Sequence, residues 1–156
     1  MTKPASSAIP VFKLYGESQQ WPTPDLLHCE TISRRSREYQ WEIQPHRHAD
    51  LCQLLYVHQG QAQLEIEGQR TTLNEATLQV LPPLCVHGFR FAEDVKGYVV
   101  TLAAPLVSHL QAQLGAAVDG LQILGNYPAS EDSDYLNNLF ARLQDEYADE
   151  QPARDP

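Results

Sequence analysis

The sequence has 156 residues, 42% hydrophobic and 20% charged, which suits one domain with its own core. A formal net charge of -9 repels phosphate backbones and anionic membranes, so these residues alone make a poor surface for DNA or lipid. Three cysteines without a CxxC pair, no signal-peptide pattern and no apolar run long enough to span a bilayer point to a cytoplasmic protein with reduced thiols.

In chain order, residues 1–10 read as a polar, flexible lead. Residues 11–104 form a series of short apolar or alternating runs broken by turn residues: "LLHCETIS", "YQWEI", "CQLLYV", "QAQLEIEGQR", "TLQVLP", "HGFRF" and "GYVVTLA". The clearest is "QAQLEIEGQR", where Ala62, Leu64 and Ile66 share one face and Gly68 supplies the turn of a hairpin. So many short, closely spaced strands predict a sandwich or barrel, with prolines at strand ends. The pattern becomes helical over 105–150. In "PLVSHLQAQLGAA", Leu106, Val107, Leu110 and Leu114 recur at helical spacing after Pro105. In "ASEDSDYLNNLFARLQDEYADE", Ser130 is the expected cap, and Tyr135, Leu136, Leu139, Phe140, Leu143 and Tyr147 form one stripe. That stripe can pack on the β unit or form an antiparallel or coiled-coil dimer seam through Tyr135, Leu136, Leu139, Phe140 and Leu143. Residues 151–156, "QPARDP", read as the start of a linker.

The chemistry concentrates in "PHRHADLCQLLYVHQGQ". His46 and His48 are two apart, so on a strand both imidazoles point the same way. A turn near Asp50 would put Gln53 on the neighbouring strand facing the same cavity, and "LPPLCVHGF" brings His87 to it. Three imidazoles form a set for a divalent metal such as zinc or iron, with Gln53 as a fourth donor; alternatively they are polar fixtures of a pocket.

His46-x-His48, four residues, Gln53, six residues and Gly60, followed by Pro82-x-Leu84-x-x-His87, resemble the two cupin motifs over roughly residues 25–105. Cupin enzymes usually carry glutamate where Gln53 stands and glycine where Leu84 stands. Losing the carboxylate weakens a metal site, so no cofactor is required on this reading. "PHRHADLCQLLYVHQG", "LPPLCVHGFRF" and "GYVVTL", followed by helices, closely resemble the sensor domains of AraC/XylS-type transcription regulators. "IPVFKLYGE" and "WPTPDLLHCE" look most like the PobR-type branch, which responds to 4-hydroxybenzoate.

The resemblance implies a mainly β, cupin-like jelly-roll barrel followed by two C-terminal helices. Its implied role is the effector-binding, homodimerising part of a transcription activator, not an enzyme. DNA would be contacted only through a C-terminal domain outside these residues. The ligand expected is a small aromatic carboxylic acid, with the ring against Trp41, Leu55, Val57, Phe89 and Phe91, whose strand parity matches the pocket. Its polar groups would meet His46, His48, Gln53 and His87. Parity turns Arg47 and Arg90 away, leaving the charged turn "SRRSRE", represented by Arg35, to clamp the carboxylate. The competing expectations are a metal-dependent cupin enzyme, such as a small dioxygenase or isomerase, and a stand-alone cupin that binds a sugar or an acid.

Overall fold

The computed structural model describes residues 26–37 and 40–148, apart from the side chain of Arg35. The expected lead (1–10), the motif "IPVFKLYGE", the first half of "WPTPDLLHCE" and the expected linker (151–156) lie outside those residues. Strands are β1 (Leu27–Thr31), β2 (Glu42–His46), β3 (Leu51–Gln59), β4 (Ala62–Ile66), β5 (Gln69–Leu73), β6 (Thr77–Leu81), β7 (His87–Phe91), β8 (Lys96–Ala103) and β9 (Gly125–Pro128). Helices are α1 (Ile32–Arg37), α2 (Ala104–Leu114) and α3 (Ser133–Ala148), with a 3-10 segment at Gly115–Gln122.

Two antiparallel sheets result, one ordered β1-β8-β3-β6-β9 and the other β2-β7-β4-β5. From β1 to β8 every connection crosses between sheets except the β4–β5 hairpin around Gly68. That interleaving is the jelly-roll arrangement of nested Greek keys, so the fold is mainly β with C-terminal helices, as expected.

Strand β3 shows how alternation builds the two cores. Leu55 and Val57 face inward, packing between the sheets with Ile43, Ala62, Leu64, Leu73, Leu81, Phe89 and Phe91. Cys52 and Tyr56 face the other way, into a second cluster with Val80, Val100, Val107 and Phe140. The helices therefore cover the outer face of the five-stranded sheet. Phe140 stacks on Tyr56 and Tyr98, with ring centroids 4.9 and 6.0 Å apart. The buried Tyr56 hydroxyl donates to the Ser133 carbonyl at 2.8 Å and lies 3.0 Å from His58 Nδ1, joining β3 to the start of α3. Near the end of α3, Tyr147 Oη lies 2.7 Å from His28 Nδ1 on β1.

Several expectations change. "ISRRSR" coils into α1 instead of a solvated turn: Ile32 and Ser36, four apart, are buried together, while the Thr31 hydroxyl accepts from the Arg34 amide at 3.2 Å. Helix α3 begins at Ser133, and Ser130 does not cap it, because its hydroxyl donates to Glu75 at 2.7 Å. Edge strand β9, rich in Gly and Pro, forms without any strand periodicity in its sequence. The α3 stripe divides. Phe140 is 8% exposed, and Leu136, Leu143 and Tyr147 pack against the same outer cluster. Tyr135 and Leu139 remain exposed, at 65% and 43%. A seam using Leu136, Phe140 and Leu143 would have to unpack them from their own sheet. No helix among the described residues is long and apolar enough to cross a membrane.

Candidate functional site

Strand β2 begins on one alternation and ends on the other. Ile43 lies opposite Phe89, and His46 lies opposite His87, so β2 spends three steps where β7 spends two. The extra residue forms a bulge at Pro45, which has no amide hydrogen to lose. Ile43 and His46, of opposite parity, consequently both face inward. Gly88 makes room for the bulge, since a Cβ there would sit 2.9 Å from both the Ile43 carbonyl oxygen and the Pro45 nitrogen. Gly60 ends β3 at φ +87°, where a Cβ would meet Val95 Cα at 2.6 Å.

His46, His48 and His87 gather as the sequence predicts. All are buried, and one ring nitrogen of each lies within 4.8 Å of the others. His46 Nε2 and His48 Nε2 are 3.1 Å apart. His46 Nδ1 lies 2.9 Å from the Gln44 carbonyl, and His87 Nδ1 lies 2.9 Å from the Cys85 carbonyl. A carbonyl only accepts, so both Nδ1 atoms carry hydrogen and, in the neutral rings, both Nε2 atoms present lone pairs. His87 Nε2 is fully buried and has no hydrogen-bond partner among the described residues. Burial, then the nearness of His46 and His48, holds the His87 imidazole well below its ordinary value of 6.5, against the opposing pull of the Cys85 carbonyl.

Gln53 is buried and shares the inward parity of Leu55 and Val57; its amide donates to Thr101 Oγ1 at 3.1 Å. Phe89 and Phe91 continue the inner face from His87, with successive centroids 5.4 and 5.5 Å apart. Trp41 packs against the same core, with a left-handed φ of 64°. Leu84 keeps φ +65° where the cupin motif has glycine, and its amide donates to the His48 carbonyl at 2.6 Å, tying the β6–β7 turn to the site.

Arg90 is exposed and paired with Glu42 at 3.1 Å, as its parity requires. Arg47, between the inward His46 and His48, is half-buried, with a buried Nε lacking a partner among the described residues. The Arg35 side chain lies outside the described residues, so its expected clamp is untested by geometry.

A tetrahedral zinc with bonds of 2.0–2.1 Å holds its nitrogens about 3.3 Å apart. The His46–His48 spacing of 3.1 Å already suits that, and a His87 nitrogen lies within 4.8 Å of both. Neutral imidazoles anchored through Nδ1–H to backbone carbonyls are the usual form of metal-ligating histidine. The three residues therefore fit zinc or iron as nitrogen donors, and such an ion would supply Lewis acidity toward a bound oxygen. Asp50 is exposed and is not one of the gathered ligands. The cysteines are free and buried; burial pushes the Cys85 thiol up to about 11 and the Cys52 thiol to about 11, so neither is a ready thiolate.

Among solved structures, the chain is similar to KdgF from Halomonas sp., at 28% identity over 40% of this chain and 58% of that one, with a TM-score of 0.37. It is also similar to an apo single-site mutant of ToxT from Vibrio cholerae, at 12% identity over 80% of this chain and 49% of that one, with a TM-score of 0.47. A third is a single-site mutant of salicylate 1,2-dioxygenase from Pseudoaminobacter salicylatoxidans, at 13% identity over 71% of this chain and 39% of that one, with a TM-score of 0.39. The chain thus spans 58% of the KdgF chain and about half of the ToxT chain. No curated protein matches it. The family model for the AraC-like ligand binding domain matches residues 31–155, most of the sequence, and the chain belongs to that family.

Proposed function

We propose that this domain is the effector-binding and dimerisation part of a cytoplasmic transcription activator of the PobR-type branch, sensing a small aromatic acid such as 4-hydroxybenzoate. The observation that carries this reading is the buried histidine triad set beside an apolar, aromatic inner core. Pockets for small ligands combine such apolar walls with a few convergent polar groups. The ring would lie against Trp41, Leu55, Val57, Phe89 and Phe91, and the polar groups would meet His46, His48, His87 and Gln53. Arg35 remains the expected clamp for the carboxylate. Self-association would use the exposed Tyr135 and Leu139 of α3. DNA would be reached through a further unit, consistent with the charge of -9 on these residues.

A metal-dependent cupin enzyme is the second reading, favoured by the fit of the three imidazoles to zinc or iron. Against it, Gln53 replaces the usual carboxylate and directs its amide to Thr101. A thermal-shift screen of hydroxybenzoates, hydroxyphenylacetates and sugars, with elemental analysis of the same sample, separates the readings. An effector at a hundredfold excess over its dissociation constant stabilises the fold by about 2.7 kcal/mol. Stoichiometric zinc or iron without stabilisation by any aromatic acid would overturn the sensor reading.

A further inference from the structure

The hydrogens on the histidine floor restrict which end of a ligand can rest there. His46 and His87 each use Nδ1–H on a backbone carbonyl, at 2.9 Å in both cases. In the neutral rings each Nε2 is then an acceptor. The His46 lone pair is met by His48 Nε2 at 3.1 Å, which makes His48 the donor of that pair. The His87 lone pair is buried with no donor among the described residues. A buried acceptor without a donor is destabilising, so a ligand that supplies the hydrogen gains that interaction in full. Beside His87 the inner core is aromatic, through Phe89 and then Phe91.

Resting on the effector-binding reading above, we infer that the effector enters with a hydrogen-bond donor first. A phenolic hydroxyl or an aromatic amine gives its hydrogen to His87 Nε2, and the carboxylate points away from the histidines. His87 is thereby a specificity-determining residue. It separates hydroxylated from unsubstituted aromatic acids by demanding a hydrogen, not merely a polar atom. An acid entering carboxylate first would bring only lone pairs to a lone pair. The same geometry predicts that 4-aminobenzoate substitutes for 4-hydroxybenzoate and that 4-fluorobenzoate, near in size but lacking the hydrogen, does not.

Calorimetric titration of the chain with 4-hydroxybenzoate, 4-aminobenzoate, 4-fluorobenzoate and benzoate tests this directly. The expected result is that the fluoro compound and benzoate bind at least about tenfold more weakly than the two donors. His87→Leu should erase that preference by weakening the donors while leaving 4-fluorobenzoate unchanged or tighter. Should that variant not fold, the four-ligand series on the unaltered chain decides alone. Equal affinity for 4-hydroxybenzoate and 4-fluorobenzoate would overturn the donor requirement while leaving the effector reading intact. No binding by any of the four would overturn both. Zinc or iron retained at one equivalent after chelation would also overturn the inference, since the His87 lone pair would then belong to the metal.

Discussion

The two faces of the five-stranded sheet are packed to opposite ends. On the outer face several polar groups are answered by the protein itself, although Gln144 Oε1 on α3 is buried without a partner among the described residues. The Tyr56 hydroxyl meets both His58 and Ser133, and the Cys52 thiol donates to the Leu121 carbonyl at 3.0 Å. At the sheet's edge on β1, His28 is held by Tyr147 at 2.7 Å and by Glu30 at 3.0 Å. Between the sheets, where β7 of the four-stranded sheet faces the inner side of this one, His87 Nε2 is left without a partner among the described residues. A closed polar network holds elements together, whereas an open one is a place where something else can bind. The outer face holds the helices on, and the space between the sheets keeps one buried acceptor open.

The largest test of that contrast falls on the outer face. Phe140→Ala should cost about 3–5 kcal/mol in denaturant unfolding, because the ring is buried between Tyr56 and Tyr98 and its loss leaves a cavity. A cost under about 1 kcal/mol would mean that α3 is not held by this cluster.

The inner face should reveal itself in acid. The buried His87 ring is neutral in the fold and takes up a proton on unfolding once the pH is below its ordinary 6.5. Its contribution is level above that value and is lost on acidification, at up to about 1.4 kcal/mol per pH unit from this ring. Urea titrations of the unaltered chain and of His87→Leu between pH 7 and 5 should diverge, the variant being flatter.

Leu84→Gly at the rim should raise stability by about 1 kcal/mol, since leucine holds a left-handed φ of 65° there while its side chain is 55% exposed. A loss of stability would show that the Leu84 side chain has a role that its exposure does not suggest. The smallest effect belongs to Leu139→Asp, expected to change stability by less than about 0.5 kcal/mol. On gel filtration it should nevertheless elute as a smaller species than the unaltered chain. Unchanged elution would leave Leu139 outside any seam.

Much of this is legible in the sequence because jelly-roll strands write their alternation plainly. "QAQLEIEGQR" folds as the hairpin its pattern describes, and the intervals between His46, His48 and His87 predict their meeting. What cannot be read depends on contacts distant in sequence. Ser130 looks like a cap until Glu75, 55 positions away, takes its hydroxyl. The α3 stripe is a single feature in sequence, but Tyr56 and Tyr98 claim Phe140 and leave Leu139 to solvent. Strand β9 has no periodicity of its own and exists because β6 offers it an edge. Parity counting from Ile43 alone would turn His46 outward, because it assumes a regular strand and β2 is not regular there.

That irregularity makes the triad depend on counting as well as on chemistry. The bulge at Pro45 works as a phase shifter between the Ile43 and His46 positions. Removing a single residue there would leave two steps against two, with Ile43 and His46 still on one face; pairing all four residues without the bulge is what would swing His46 to the solvent side and carry Arg47 toward the interior. With four residues from Ile43 to His46, the bulge is what absorbs the odd one and keeps His46 with the other two rings.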